Sequence, residues 1–265
     1  MEEGKKIAVI TGASSGIGLA ISRELASRGC RLLLISNEEE KLNLEASKIE
    51  SEYNVRAIPL FMDLAEREAA QKIFLYISEN KIEVEILVNN AGIFFFRDIK
   101  NTPTELTEKA IDLHIYTPTI LTQLFIKNRL NSQNQGQSYI LNISSIAAWM
   151  MMPGIALYCA TKSYIRCFSR AVRHEVIDRG ISITTVCPGA VATNLYGLTP
   201  NLMRLGIRLG IILTPEKLAA KAVKKMFQKK AQYIPAGPLN RFFILAVQSL
   251  PPPLVRFIKE KIDKK

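Results

Sequence analysis

Tyr158 and Lys162 stand four residues apart in Tyr158-Cys159-Ala160-Thr161-Lys162, thirteen residues after Ser145. Four residues is slightly more than one turn of an α-helix, so a helical segment projects both side chains from one face, where they can act on one substrate atom. A free phenol, with a pKa of roughly 10, is poorly matched to proton transfer near neutrality, and a lysine ammonium beside it favours the phenolate and lowers that value. The pair has the makings of an acid catalyst and its tuner. A chain with eight tyrosines can place one before a lysine by chance, so the meaning of the pair depends on the elements around it.

Those elements begin near the N-terminus. Ile7-Ala8-Val9-Ile10 is a short apolar run of buried-strand type, followed by Thr11-Gly12-Ala13-Ser14-Ser15-Gly16-Ile17-Gly18 and then by Leu19, Ala20, Ile21 and Leu25 at helical spacing. A glycine turn between strand and helix lets backbone approach a pyrophosphate, and the exposed N–H groups of the helix start attract the anion. The plainer reading is a turn and nothing more; its place at the head of an α/β chain favours a dinucleotide site. Further strands are predicted at residues 31–36, 55–60, 84–89, 137–143 and 181–187, with a short last one at Gln232-Tyr233-Ile234. Helices fit at 16–28, 38–52, 65–79, 103–130, 156–179 and 215–230. This alternation predicts an α/β fold with a doubly wound parallel sheet, whose ligands bind beyond the carboxyl ends of the strands.

At 265 residues and 48% hydrophobic, the chain supplies the core of one α/β domain, expected over 1–235, with a separate extension over 236–265. No run approaches the 18 apolar residues that suggest a bilayer span, and Met1-Glu2-Glu3-Gly4-Lys5-Lys6 leads straight into the first strand, so a cytoplasmic protein is expected. Cys30, Cys159, Cys167 and Cys187 form no metal-ligand cluster and read as reduced thiols; Cys159, beside Tyr158, is either an alkylation site or a buried bystander. Two histidines, His114 and His174, are too few for a His-rich centre, so no metal is expected. The net charge of +11 carries no nucleic-acid motif with it. An anionic cofactor, an anionic substrate or a membrane surface suits it better.

Taken together, Thr11-Gly12-x-x-x-Gly16-Ile17-Gly18, Asp63, Asn89-Asn90-Ala91-Gly92, Ser145, Tyr158-x-x-x-Lys162 and Pro188-Gly189-x-Val191-x-Thr193 resemble the ordered motifs of the short-chain dehydrogenase/reductase family over about residues 5–235. The resemblance implies an oxidoreductase in which Tyr158 donates a proton to a carbonyl oxygen held by Ser145. Lys162 would hold the nicotinamide ribose and keep the phenol acidic. It also implies a cofactor cleft built from Gly12, Ser14, Ser15, Gly16, Ile17 and Gly18, with Asp63 accepting from the adenine amino group. Asn90, Ala91, Gly92, Pro188 and Gly189 would line that cleft, and Thr193 with the Val191 backbone would hold the carboxamide. The family's usual asparagine in the long helix is replaced by His114, which leaves either a modified proton relay or a packed histidine with a satisfied ring. At the end of the second strand, Ser36 and Asn37 offer donors and no acid, which tilts the expected cofactor to NADPH (NADP) over NAD.

Trp149, Met150, Met151 and Met152 are expected to form an apolar pocket wall, and the Asn201–Leu213 stretch either a mobile apolar lid or a packed segment. With Phe242-Phe243-Ile244-Leu245 and a basic end, the extension resembles an interfacial membrane anchor, with packing over the cleft or a subunit contact as the structural alternative. The expected substrate is a lipophilic ketone or secondary alcohol, such as a 3-oxoacyl thioester, a sphingoid ketone or a ketosteroid. A non-catalytic dinucleotide sensor or membrane-associated binding protein is the rival. The resemblance further implies a homo-oligomer, a dimer in preference, formed through the helices at 103–130 and 156–179.

Overall fold

The computed structural model describes residues 6–133, 136–192, 204, 208 and 212–235. Thr193, most of the Asn201–Leu213 stretch and the whole 236–265 extension lie outside the described residues, and with them the lid and the anchor.

Strands and helices alternate along the chain. They run β1 Ile7–Thr11, α1 Gly16–Ala26, β2 Arg31–Ser36, α2 Glu39–Tyr53, β3 Ala57–Phe61, α3 Ala69–Glu79 and β4 Val84–Asn89. The second half holds α4 Thr104–Ile111, α5 Thr117–Asn131, β5 Ser138–Ile143, α6 Ala156–Val176, β6 Ile181–Val186, α7 Pro215–Phe227 and β7 Gln232–Tyr233. The seven strands form one sheet in the order β3-β2-β1-β4-β5-β6-β7. Every neighbouring pair is parallel. The order reverses between β1 and β4, and there the crossovers leave in opposite directions and open a crevice past the strand ends.

Alternate residues of each strand feed alternate faces, which is why the runs read as continuously apolar. Ala8, Ile10, Leu32, Leu34, Ile86 and Val88 pack under Ile21 and Leu25 of α1, Leu42 and Ile49 of α2, and Leu218 and Val223 of α7. Val9, Leu33, Ile35, Leu87 and Ile140 meet Ile73 and Ile77 of α3, with Leu121 and Phe125 of α5, on the other face. The one change of phase lies in β4, where the register slips between Ile7 and Ala8 and the Ile7 N–H donates to Glu85 Oε2 at 2.7 Å.

Several boundaries differ from the expected ones, and the helix expected over 215–230 ends early, at Phe227. The helix expected from 65 begins at Ala69, and α6 ends at Val176, followed by a 3-10 turn over Ile177–Arg179. The long helix expected over 103–130 is divided: between α4 and α5 lies a π-helical turn, Asp112–Tyr116. Pro118 supplies the reason, since it has no N–H for the carbonyl four residues back, that of His114. The Thr117 N–H instead reaches the Asp112 carbonyl, five residues back. Such an inserted residue turns the side chains of that stretch relative to those of an unbroken helix, and π-turns of this kind recur at functional sites.

Candidate active site

The crevice past β1 and β4 is a cavity of about 790 Å³, within the usual range for a cofactor-sized site. At one end lies the turn after β1. Gly12 adopts φ +66°, and a Cβ there would come within 2.9 Å of Asn90 Nδ2 and 3.0 Å of Ala91 Cα. A Cβ on Gly18 would run into the Gly12 carbonyl, so the helix start and the turn can only pack this closely through glycine. Thr11 and Asn90 hold the turn to β4. Thr11 Oγ1 donates to the Val88 carbonyl at 3.1 Å and accepts from the N–H groups of Asn90 and Ala91 at 2.9 and 3.1 Å. Asn90 Nδ2 donates to the carbonyls of Thr11 and Gly12 at 2.9 and 3.2 Å. The residues present fit a dinucleotide: a turn built on Gly12, Gly16 and Gly18 opens onto a helix start that lines a cavity of adequate size.

Gly12, Ser14, Ser15, Gly16 and Ile17 line the cavity here, with Ser36, Asn37 and Asp63 beside them; Gly18 lies behind the turn, outside the lining. The Asp63 carboxylate accepts the Ala65 N–H at 3.0 Å and stands 3.9 Å from Lys109 Nζ. Asn90, Ala91, Gly92 and His114 form the middle, and Ser145, Tyr158, Lys162, Pro188, Gly189 and Val191 the far end. Val191 is bridged to Leu213, two residues before α7.

Lys162 lies on the buried face of α6, 6% exposed, and its Nζ donates to the Ile143 carbonyl at 3.2 Å. The ammonium sits 5.6 Å from the centre of the Tyr158 ring. Burial pulls Lys162 down to about 8, which still leaves it mostly charged at neutral pH. The Ser144 hydroxyl donates to the Lys162 carbonyl at 2.7 Å and fixes α6 against the end of β5. Ser145 Oγ accepts the Ala147 N–H at 3.1 Å and lies 3.5 Å from the Pro188 carbonyl, a contact weak enough for the hydroxyl to turn toward a ligand.

His114 is 3% exposed, with both ring nitrogens engaged. Nε2 accepts the Ile93 N–H at 2.9 Å, which leaves the proton on Nδ1, 3.0 Å from Thr161 Oγ1. Thr161 Oγ1 in turn donates a hydrogen bond to the Tyr158 carbonyl at 3.0 Å. Burial first, and then the charge of Lys162, holds the imidazole well below its ordinary value, so the ring is neutral. The geometry is that of a pin between the Asn89-Asn90-Ala91-Gly92 segment and α6.

Two expectations about this region change. Trp149, Met150, Met151 and Met152 are absent from the cavity wall: the Trp149 ring lies 4.6 Å from the Arg166 guanidinium, and Met151 is 71% exposed. An apolar group that does meet the Tyr158 ring is Phe94, edge-on at 5.0 Å between ring centres. It lies two residues past Gly92 in Ile93-Phe94-Phe95-Phe96, a loop tied down by the Arg97 N–H to the Gly154 carbonyl at 2.7 Å. The second residue missed is Glu38, which lines the adenosine end. Its signal was available, because an acid about twenty residues after the last glycine of such a turn is the usual ribose ligand, and Glu38 is twenty past Gly18. Cys159 is buried and its thiol is pushed up by that burial, the opposite of a reactive setting; the exposed thiol is Cys167.

Comparison with known proteins agrees with this geometry. The chain is 35% identical over 193 residues to a very-long-chain 3-oxoacyl-CoA reductase of Anas platyrhynchos, a match covering 71% of this chain and 60% of that protein. A very-long-chain 3-oxoacyl-CoA reductase-A of Danio rerio is 35% identical over 195 residues, covering 72% and 59%. The chain thus spans about three-fifths of the length of these relatives. Among solved structures, a short-chain dehydrogenase from Sphingobium yanoikuyae in complex with NADPH superposes with a TM-score of 0.79 at 25% identity, covering 91% of this chain and 92% of that one. The family pattern described as short chain dehydrogenase matches residues 6–201. With that match over most of its length, and with turn, serine, tyrosine and lysine brought to one cavity, the chain belongs to the short chain dehydrogenase family of oxidoreductases.

Proposed function

We propose that the protein transfers hydride between a nicotinamide dinucleotide and a lipophilic ketone or secondary alcohol, acting as a ketoreductase on a substrate of the 3-oxoacyl thioester, sphingoid or steroid kind. The observation that carries this reading is the single cavity joining the glycine turn to Ser145, Tyr158 and Lys162. When bound, the dinucleotide supplies hydride to the carbonyl carbon. Tyr158 gives its phenol proton to the carbonyl oxygen as negative charge develops there, and Ser145 holds that oxygen by a hydrogen bond. Lys162 stabilises the phenolate left behind. The Phe94 ring beside Tyr158 and the names of the 3-oxoacyl-CoA reductase relatives support an apolar substrate.

His114 acts in this scheme as a positioning residue. A ring with both nitrogens committed to Ile93 and Thr161 has no free lone pair or proton to pass on. His114→Ala leaves the Ile93 N–H unpaired at a cost of about 1–3 kcal/mol, and is expected to lower the melting temperature together with kcat. The kcat/KM profile of the unaltered protein should show no imidazole inflection near 6.5, because burial holds the ring's pKa well below that value. An inflection near 6.5 that vanishes in His114→Ala would restore the relay.

The test of the function is a substrate screen with both NADPH and NADH against ketones of the three classes, following loss of the reduced cofactor. Turnover with at least one lipophilic ketone is expected. Tight dinucleotide binding with no turnover across the panel would favour the sensor reading. As to the dinucleotide, the NADPH complex of the Sphingobium relative supports the 2′-phosphorylated form. The donors Ser36 and Asn37 support it as well, and the carboxylate of Glu38 beside them opposes it.

A further inference from the structure

The last helix, α7, has two unlike faces. Leu218, Ala219, Ala222, Val223 and Met226 are buried in the core with Ala8 of β1 and Ile21 and Leu25 of α1. Away from them Lys217, Lys221 and Lys224 are exposed and Lys225 is half-buried, and the turn that follows adds the exposed Lys229 and Lys230. Positions 217, 221 and 224 keep the i, i+4, i+7 spacing of a single helix face, so these side chains form a stripe. Arg173 of α6 adds a further cation at its end. That guanidinium donates to the Lys229 carbonyl at 2.8 Å, and its other partners, Ser182 Oγ and the Ile183 carbonyl, carry no charge.

We propose that this face of α7 docks on an anionic lipid surface, its lysines meeting the phosphate and carboxylate headgroups. The helix gains little for itself from such a pattern. Lys217 stands in the first turn, where the helix dipole disfavours a cation, and only Lys224 and Lys225 in the last turn suit it. Lys217 and Lys221, like Lys221 and Lys225, are equal charges at i, i+4, a spacing at which repulsion weakens a helix. Among the described residues, no Asp or Glu pairs with any of the six lysines. Glu24 of α1 is taken by Arg28 at 2.6 Å, and that guanidinium lies 5.7 Å from the centre of the Phe227 ring at the end of α7. The ordinary arrangement is seen on α2, where Lys48 meets Glu45 at 2.7 Å and Lys41 meets Glu38 at 3.3 Å. A local rule broken without compensation inside the fold points to a partner outside it.

Charge fixes the sign of that partner, and other features fix its kind. A second copy of this chain would bring the same cations to a symmetric contact and be repelled. Among the described residues of α7 and the turn after it there is no exposed aromatic ring on which a nucleic-acid base would stack. Beyond Pro235 the sequence continues with Phe242-Phe243-Ile244-Leu245 and ends in Arg256, Lys259, Lys261, Lys264 and Lys265, the mixture of apolar and basic side chains that suits a bilayer interface. The cavity takes only Pro215 and Glu216 from α7, so the docking face stands apart from the chemistry.

The test is sedimentation of the full chain with vesicles of phosphatidylcholine alone and with vesicles containing about one-third phosphatidylserine. At low ionic strength the native protein is expected to partition at least about tenfold more strongly onto the serine-containing vesicles, and added salt should abolish the difference. The triple variant Lys221→Gln, Lys224→Gln, Lys225→Gln leaves 236–265 unaltered. It should partition onto the anionic vesicles about 100-fold less, about fivefold for each lysine near the surface, while melting within a few degrees of the native protein. The lipid and salt dependence of the native protein needs no variant. Native protein that binds neither vesicle, or both alike, overturns the proposal. So does a folded variant that binds anionic vesicles as the native protein does, which would assign the binding to 236–265. Displacement of native protein from the vesicles by duplex DNA at a lower concentration of phosphate than that of the anionic lipid would also overturn it, and make nucleic acid the partner.

Discussion

Tyr158→Phe is expected to lower kcat for ketone reduction by about 10²–10⁴-fold, the usual contribution of a positioned acid, and to leave the dissociation constant of the dinucleotide within about threefold. The exchange removes one oxygen and keeps the ring, so the edge contact with Phe94 at 5.0 Å and the Lys162 ammonium 5.6 Å from the ring centre both persist. Backbone placement persists as well, because the Tyr158 carbonyl, which the exchange does not alter, still accepts from Thr161. A loss of turnover with cofactor binding intact thus isolates the phenol proton. The measurement is single-turnover reduction of the best ketone from the screen, paired with a direct binding titration of the dinucleotide. Turnover equal to that of the native protein would remove Tyr158 from the chemistry and leave the protein as a dinucleotide binder with an incidental Tyr-x-x-x-Lys pair.

Legibility in the sequence divides along a physical line. The β1 run, the glycine turn and the Tyr158–Lys162 spacing are local patterns, each set by the period of one element. The structure puts them where those periods require: Lys162 on the buried face of α6, the turn against Asn90. The break between α4 and α5 was less visible, because apolar periodicity runs on through it and the cause is a single missing N–H at Pro118. The apolar neighbour of the phenol was misplaced for a related reason. Trp149 to Met152 are close to Ser145 along the chain yet do not line the cavity, while Phe94 reaches the Tyr158 ring from the end of a different strand. Glu38 is hidden in the sequence because a bond across to Ser14, 24 positions earlier, sets its place in the cavity. Contacts between elements, as opposed to periods within them, are what the sequence conceals.

Lys162 carries the second large expectation, one in which activity and stability move in opposite directions. The side chain is almost fully buried, and burial is what pulls its ammonium from 10.5 to about 8. Below pH 8 the folded protein therefore holds a charge that water would solvate better, at a cost of about 3 kcal/mol for a depression of this size. Lys162→Met keeps the unbranched shape and removes the charge. It also leaves the Ile143 carbonyl without the Nζ donor now at 3.2 Å, which returns about 1–3 kcal/mol of that gain. The variant should lose turnover at least as severely as Tyr158→Phe, since the phenolate formed in the reaction then lacks its cation, and yet melt at a temperature equal to or a few degrees above the native protein at pH 7. The sign of the pH dependence separates this cause from mere repacking. Between about 8 and 10.5 the unfolded chain holds more of the Lys162 proton than the folded one, so native stability gains from this group as pH rises through that window. Any advantage of Lys162→Met should accordingly be greatest below pH 8, shrink as pH rises, and reverse near 10.5, where a neutral amine bonded to Ile143 costs nothing. Thermal melts of both proteins without cofactor, taken from pH 7 to 10, read this directly; a difference that stays constant across the range would mean that the buried charge is not what the site sacrifices in stability to keep its phenol acidic.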